Sequence, residues 1–327
     1  MHSFLLAVNG VLPIIILIAL GYFLKRYNVV NDNFASVASK VCFKVLLPCT
    51  LFVNIYSVER LSNINWVYIL FCVVAVLALF CIGLLISKYV AQHNNQRGVL
   101  TMSAFRSNSV IIGLNLVIFL YGTEGGAYMS ASLAFIIPLF IALSVTSLSM
   151  FSEQGERVTV GSVIKRIIKN PLIIAIALAF VALGVRSMLI RWGGTFRLSN
   201  IDFIYDSIST LGSVTTPLAL IVLGAQFKFE SARHLIKQIS VGALLRLVVS
   251  PLMVFCVALI FFPSFGKIEY ACLLCLFASP NAVTNVILTS ELGGDEQLAG
   301  QLVVWTTVCS FVTLFVYIFT FSQLGII

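Results

Sequence analysis

Four consecutive polar residues, Arg106, Ser107, Asn108 and Ser109, interrupt an otherwise apolar stretch of the chain, 100–122. A buried arginine costs roughly 2.5–3.5 kcal/mol on membrane-insertion scales, so it is retained where it meets a partner or a water-filled cavity. The planar guanidinium group binds carboxylates and phosphates through paired hydrogen bonds. If the stretch is a membrane segment, this pattern indicates an anion-binding site at membrane depth.

A structural role for Arg106 is the alternative, because an ion pair with Asp206 would also stabilise a buried charge. Asp206 is the carboxylate that lies clearly inside an apolar run, and Arg246 is a second arginine in such a run. We interpret both as candidates for coupling or counter-ion roles. A solvated position at a helix end remains equally open for Asp206.

The composition indicates that these residues belong to a membrane protein. The chain has 327 residues, of which 60% are hydrophobic and 10% are charged, whereas soluble domains have about 25% charged residues. Apolar runs of about 20 residues recur along the whole length, which predicts an all-α protein of many transmembrane helices. We assign the net charge of +8 to cytoplasmic loops and not to a nucleic-acid partner.

The apolar runs predict ten spans joined by short connections, the longest of which is 152–170. Eleven Lys and Arg residues follow odd-numbered spans and five follow even-numbered ones. Positively charged loops stay in the cytoplasm, so both chain termini are expected outside. The predicted spans are 4–24, 34–57, 64–90, 97–122, 127–151, 171–190, 203–226, 238–262, 268–291 and 297–322.

The two halves of the chain, 1–151 and 171–327, resemble each other across the cytoplasmic linker 152–170. "LLPCTLFVNI" resembles "TTPLALIVLG", which aligns Pro48 with Pro217, and "SNSVIIGLNL" resembles "PNAVTNVILT". Five spans in each copy place the copies in opposite orientations. Such an inverted repeat is common in secondary transporters.

Two spans at corresponding positions, the fourth and the ninth, are predicted to be broken helices. In "ASPNAVTN" Pro280 lacks an N–H and disfavours a helical residue before it, while Asn and Ser in the fourth span can bond the freed backbone. Paired interruptions indicate a transporter binding site, although prolines also merely kink helices and polar residues also join them. The predicted substrate-binding residues are Arg106, Ser107, Asn108, Ser109, Pro280, Asn281 and Asn285, with Pro48 and Pro217 as helix breaks.

Other kinds of chemistry find no support in the sequence. Cys272 and Cys275 form a CxxC pair inside a predicted helix without a second pair or a nearby histidine, so we interpret them as packing residues. We find no catalytic triad, phosphate-binding loop or metal-ligand cluster. The expected protein is therefore not an enzyme and needs no metal or cofactor; its partners are a small organic anion and the lipid bilayer.

Three segments resemble the bacterial members of the auxin efflux carrier family, which include malate and other dicarboxylate permeases. They are "RSNSVIIGLNL", "PLALIVLGAQF" and "SPNAVTNVILTSELGGDEQLAGQLVVWTTVCSFVTLFVY". The resemblance implies two inverted five-helix repeats, helices that cross at their breaks, an elevator-type mechanism and a homodimer in the bacterial inner (plasma) membrane. By motif, Ser107, Asn108 and Ser109 match the first crossing, Pro280 and Asn281 the second, and Gly113–Leu114 the pair after the first break.

One departure bears on the substrate: Asn115 stands where the family usually has proline, and the first break lacks the proline of plant members. An auxin-like aromatic acid is therefore not implied. We expect a secondary transporter of a small organic anion, such as malate, that works by alternating access. A sodium-coupled symporter of bile-acid type and a membrane anion sensor that transports nothing are the alternatives, and coupling to protons, sodium or membrane potential stays open.

Overall fold

The computed structural model describes residues 13, 16–57, 65–151, 168–191, 202–226 and 233–327. Within these ranges the chain forms helices and turns, together with one isolated β-bridge. Seven helical stretches are long and apolar enough to cross a membrane: Asp32–Tyr56, Trp66–Val90, Glu124–Met150, Pro171–Ile190, Asp202–Ala225, Ile236–Phe261 and Glu296–Gln323.

The helices are numbered in chain order. They are α1 (16–26), α2 (Asp32–Val41), α3 (Leu47–Tyr56), α4 (Trp66–Val90), α5 (Asn94–Phe105), α6 (Leu114–Met150), α7 (Pro171–Arg191), α8 (Asp202–Gln226), α9 (Ile236–Leu244), α10 (Ser250–Phe261), α11 (Lys267–Ala278), α12 (Thr284–Leu292) and α13 (Glu296–Gln323). Single π-helical turns join α2 to α3, precede α6 and join α9 to α10; they are Cys42–Leu46, Ser109–Gly113 and Leu245–Val249.

Three of the ten predicted spans are not among the seven long helices. Most of 4–24 lies outside the described residues, and 97–122 and 268–291 are interrupted after α5 and α11. A 12-residue half-helix is about 18 Å long, shorter than the ~30 Å hydrocarbon core. The count of ten spans, the inverted repeat and the division into two halves stay predictions, and 152–167 of the linker lies outside the described residues.

A sharp turn replaces the loop that the sequence suggested between the fourth and fifth spans. Gly122 lies within α6 but has φ 61° and ψ −149°, a conformation outside the helical region that glycine adopts without steric cost. A Cβ atom on Gly126 would lie 2.6 Å from Ile118 Cγ1. The chain therefore folds back on itself at Gly122, and glycine lets the two arms pack closely.

Arg186 is one of the five Lys and Arg residues assigned above to connections after even-numbered spans, but it is buried within α7. Its Nη1 donates to the carbonyl of Tyr56 at 2.6 Å, and its guanidinium lies 5.0 Å from the centre of the Tyr56 ring. A cation at the carboxyl end of α3 is stabilised by the helix dipole. The outer-loop count falls to four, and the orientation of the chain stays a prediction.

The described helices pack as two groups. The first contains α1, which packs on α8, together with α2, α3, α7 and α8, and the second contains α4, α5, α6 and α9 to α13. In the first group the backbones of α1 and α8 approach closely: a Cβ atom on Gly224 would lie 1.9 Å from the Ile18 carbonyl oxygen. The groups meet mainly where α6 contacts α3 and α7, and where α12 contacts α2 and α8. The candidate site lies at this boundary.

Candidate functional site

The two interrupted segments cross and hydrogen-bond to each other. Ser107 and Asn281 form an antiparallel β-bridge, and the Asn108 N–H donates to the Pro280 carbonyl oxygen at 2.7 Å. Arg106 has an extended conformation, with φ −90° and ψ 109°. Non-helical backbone at membrane depth requires protein or water partners, and here each break provides partners for the other.

The two breaks have different local causes. Ser279 is extended (φ −62°, ψ 147°) directly before Pro280, as the steric effect of a proline ring on its predecessor predicts. The first break contains no proline, and α5 ends at Phe105 without one. There the bridge between Ser107 and Asn281 and the hydrogen bond from the Asn108 N–H to Pro280 provide partners for backbone groups that the helix leaves free, so tertiary contact stabilises this break.

A cavity of about 80 Å³ lies beside the crossing, at the boundary between the two helix groups. About 10–15 Å³ on this scale holds one water molecule, so the cavity has room for several atoms of a small solute. Arg106 is the one charged side chain among the described residues that line it. The others are Leu47, Thr50, Leu51, Asn54, Ser107, Asn108, Ser109, Val110, Ile137, Phe140, Ile141, Thr215, Thr216, Ala282 and Thr284.

Arg106 is 4% exposed, and its guanidinium is only partly hydrogen-bonded. Its Nη2 donates to Thr284 Oγ1 at 2.8 Å, whereas its Nη1 is buried and has no hydrogen-bond partner. Asp206 is exposed on α8, and in the part of the chain that the structure describes it forms no ion pair with Arg106. An uncompensated buried charge is costly, so an anion at Nη1 would stabilise this arrangement.

Two helix N-termini add positive potential to the same cavity. The π-helical turn after the first break begins at Ser109, and α12 begins at Thr284; neither start has a side-chain cap. Ser109, Val110, Ala282 and Thr284 all line the cavity. The uncapped N–H groups and the helix dipole at such ends favour anions.

The structure places Pro280, Asn281 and Asn285 in the buried interior but not among the residues that line the cavity. Asn281 Nδ2 donates to Ser103 Oγ at 3.1 Å, and its backbone N–H donates to Thr306 Oγ1 at 3.1 Å. Asn281 therefore attaches the second break to α5 and α13. The carbonyl oxygen of its amide is buried without a partner, as is that of Asn285.

The prediction that Pro48 and Pro217 break helices is wrong. Pro48 lies in the first turn of α3, directly after a π-helical turn that continues from α2, and α8 runs through Pro217 without interruption. Pro48 has no N–H to donate, and the π-helical turn before it, in which the Leu47 N–H donates to the Cys42 carbonyl, keeps the helix continuous there. Neighbouring groups in a membrane protein re-satisfy the backbone around an internal proline.

Arg246 also lies apart from the cavity lining. It is fully buried in the π-helical turn Leu245–Val249, and its guanidinium donates to backbone carbonyl groups at the crossing. Arg246 is thus engaged by protein, and Asp206 is exposed. The structure does not bring these two candidates for coupling together.

Several cavity residues were not predicted from the sequence, notably Thr50, Asn54, Thr215 and Thr284. Thr50 Oγ1 and Thr215 Oγ1 are 2.7 Å apart and join α3 to α8. A signal for two of them was present, because Thr50 and Thr215 stand two residues from Pro48 and Pro217. Thr284, the partner of Arg106, had no such signal.

Comparison with known proteins identifies the family. Residues 6–318 match the family described as membrane transport protein. The chain belongs to this family. It is the auxin efflux carrier family that the motifs resemble, and the chain is accordingly a multi-pass membrane transporter.

Two relatives in the family match nearly end to end. An uncharacterized transporter of Methanothermobacter thermautotrophicus is 25% identical over 95% of this chain and 97% of its own length. An uncharacterized transporter of Methanocaldococcus jannaschii is 23% identical over 94% of this chain and 96% of its own length. Both similarities extend through the two crossing segments.

Proposed function

We propose that this auxin efflux carrier family member is a secondary transporter that moves a small organic anion through the cavity beside the crossing. The observation that carries the proposal is the buried Nη1 of Arg106, which has no partner in a cavity without another charged side chain among its described lining residues. A carboxylate at this position would accept a charge-assisted hydrogen bond, which is stronger than one between neutral groups.

The remaining lining suggests how the rest of the substrate is held. Thr50, Asn54 and Thr215 offer hydroxyl and amide groups on one side, and Ile137 and Phe140 offer apolar contacts on the other. Arg106 would bind one carboxylate of the substrate. The second carboxylate of a dicarboxylate would then contact the neutral polar side chains. Malate, which carries a hydroxyl group and two carboxylates, suits this combination and is the first substrate to test.

The position of the cavity supports alternating access of the elevator type. Thr50 and Thr215 belong to the first helix group, whereas Arg106, Phe140 and Thr284 belong to the second. Displacement of the second group along the first would carry the crossing, and an anion bound to it, across the barrier. The anion would keep its contact with Arg106 and with the half-helix N-termini, which move with it, and would leave Thr50 and Thr215 behind.

The lining also bears on how transport is driven. The described lining residues include no Asp, Glu or His, and these are the usual proton-carrying side chains. We therefore propose that the membrane potential acts on the net charge of the bound anion. Proton coupling and sodium coupling are the competing possibilities, and imposed gradients separate the three.

The direct test is uptake of labelled malate by purified protein in liposomes, with a membrane potential, a pH gradient or a sodium gradient imposed singly. We expect saturable uptake that follows the potential. Uptake that requires sodium would replace the proposal with a symporter of bile-acid type. Saturable binding without uptake under any gradient would favour the anion sensor.

Replacement of Arg106 by glutamine tests the anion contact. Arg106→Gln removes the one charge among the described lining residues and should lower malate uptake more than tenfold, because hydrogen bonds to charged groups contribute about 1.5–3 kcal/mol. Arg233→Gln is the matched control, since Arg233 is exposed and does not line the cavity. Uptake by folded Arg106→Gln protein with wild-type affinity would contradict the proposal.

A further inference from the structure

The π-helical turn Leu245–Val249 carries a fully buried arginine that does not line the cavity. Arg246 is 0% exposed, and the turn follows α9 and precedes Pro251 in α10. A π-helical turn leaves carbonyl groups outside the regular helical pattern, and Tyr317 OH donates to one of them, the Leu247 carbonyl, at 2.9 Å. The turn is thus anchored to α13, and it presents Arg246 to the crossing.

The Arg246 guanidinium bonds the carboxyl ends of both half-helices at the crossing. Its Nη1 donates to the Ala104 carbonyl, in the last turn of α5, at 3.4 Å. Its Nη2 donates to the carbonyl groups of Leu276, at 3.3 Å, and of Phe277, both in the last turn of α11. Its Nε donates to the Ser279 carbonyl at 2.9 Å. One cation therefore serves two helix ends that are far apart in the sequence.

Two serine hydroxyl groups also bond carbonyl groups near these helix ends. Ser250 Oγ donates at 2.5 Å to the Ala104 carbonyl, which also accepts from Arg246, and Ser279 Oγ donates to the Cys275 carbonyl at 2.5 Å. The last four carbonyls of a helix lack helical partners, and burial without partners is costly. Arg246 differs from these serines because it brings a full positive charge to both ends.

We propose that Arg246 is the positioning residue of the crossing: it joins the carboxyl ends of α5 and α11 and neutralises their negative dipole ends. Helix dipoles place partial negative charge at these ends and partial positive charge at the N-termini of the next half-helices. Neutralising the negative ends leaves the N-termini and Arg106 to dominate the potential in the cavity. This last step rests on the proposed function, whereas the joining of the two ends does not.

Hydrogen–deuterium exchange of the full-length protein in detergent tests the joining without any ligand. Arg246→Met should raise exchange in both 102–109 and 275–283, because both helix ends lose partners. Ser250→Ala is the matched control, since Ser250 bonds only the Ala104 carbonyl of this set and should raise exchange in the first segment alone. Increased exchange at only one break in Arg246→Met would overturn the proposal.

Arg246→Lys covers the case in which Arg246→Met does not fold. The lysine ammonium keeps the charge but lacks the planar guanidinium group, so exchange should rise at both breaks by less than in Arg246→Met. Wild-type exchange at either break in Arg246→Lys, when Arg246→Met is unfolded, would also overturn the joining of the two ends.

Malate transport tests the electrostatic part. We expect Arg246→Met to raise KM at least tenfold, Arg246→Lys to recover most of that loss, and Ser250→Ala to stay within twofold of wild type. A KM in Arg246→Lys as high as that in Arg246→Met would contradict a role for the charge. If the wild-type protein transports no carboxylate, the proposed function fails, and the exchange result still decides whether Arg246 joins the two ends.

Discussion

Two buried arginines at the crossing, Arg246 and Arg106, differ in how fully their guanidinium groups are hydrogen-bonded. Arg246 donates to carbonyl groups of four residues, whereas Arg106 donates to Thr284 and keeps Nη1 unpaired. A buried cation that protein groups satisfy is structural, because its desolvation is offset within the fold. A buried cation that is half satisfied needs a further partner. This contrast is the reason why we propose Arg106, and not Arg246, as the residue that contacts the substrate.

The hydrogen bond from Arg106 to Thr284 orients the guanidinium, so its removal should weaken binding. We expect Thr284→Val to raise the KM for malate about tenfold, the factor that 1.4 kcal/mol represents. Thr146→Val is the control, because Thr146 Oγ1 donates to the Ala142 carbonyl within α6 and does not line the cavity. An unchanged KM in Thr284→Val would show that Arg106 needs no orientation by this contact.

At the scale of elements, the crossing depends on close approach as well as on hydrogen bonds. Gly113 ends the π-helical turn after the first break, and a Cβ atom there would lie 2.8 Å from the Cys275 carbonyl oxygen in α11. Backbone atoms cannot move aside as flexible side chains do. Packing against α11 therefore explains why a glycine occupies this position of the Gly-Leu motif.

Substitution of Gly113 tests this packing. Gly113→Ala should lower stability by about 1–3 kcal/mol, the usual cost of adding atoms to a packed interior, and should lower malate uptake because the crossing shifts. Gly184→Ala in α7 is the matched control, since a Cβ atom there meets nothing within 4 Å and alanine favours the helix. Thermal unfolding in detergent and liposome uptake measure both effects; equal stability of the two variants would contradict the expectation.

The two breaks also show what local sequence predicts at this scale. Pro280 lies in the second break, where its ring accounts for the extended Ser279. The first break has no such local cause, and its polar residues Ser107 and Asn108 bond the other break instead. Pro217, which has the same ring, leaves α8 continuous. A proline is thus neither necessary nor sufficient for a break, because tertiary partners decide whether the freed backbone groups are satisfied.

At the scale of the whole molecule, the two helix groups should move relative to each other when substrate binds. Spin labels at Leu178 in α7 and Leu70 in α4 report the distance between the groups, and labels at Leu178 and Val214 in α8 report a distance within the first group. All three positions are exposed. We expect saturating malate to change the first distance distribution and not the second. The exposed native cysteines are first replaced by serine: Cys81, Cys256 and Cys309.

Identical distance distributions between the groups with and without malate, in protein that transports it, would argue against an elevator. A change within the first group would indicate bending of its helices instead. The pair within one group is the control for label mobility, because both labels then lie on helices that pack against α3.

The sequence by itself determined the class of protein, the family and the two places where polar residues enter apolar spans. The bilayer requires the same length and apolar composition of every spanning segment. Spans can therefore be predicted from each segment alone, without knowledge of its neighbours. Arg106 was also identified in this way, because charge within an apolar run is costly wherever it occurs.

Only the tertiary structure decided what these residues contact. The partners of Arg246 come from α5 and α11, and Thr50, Thr215 and Thr284 reach one cavity from three separate helices. Such contacts depend on the rotation and depth of each helix, which packing against its neighbours sets. Spacing within one segment therefore identified the charges, and packing between segments determined which charge faces protein and which faces a cavity.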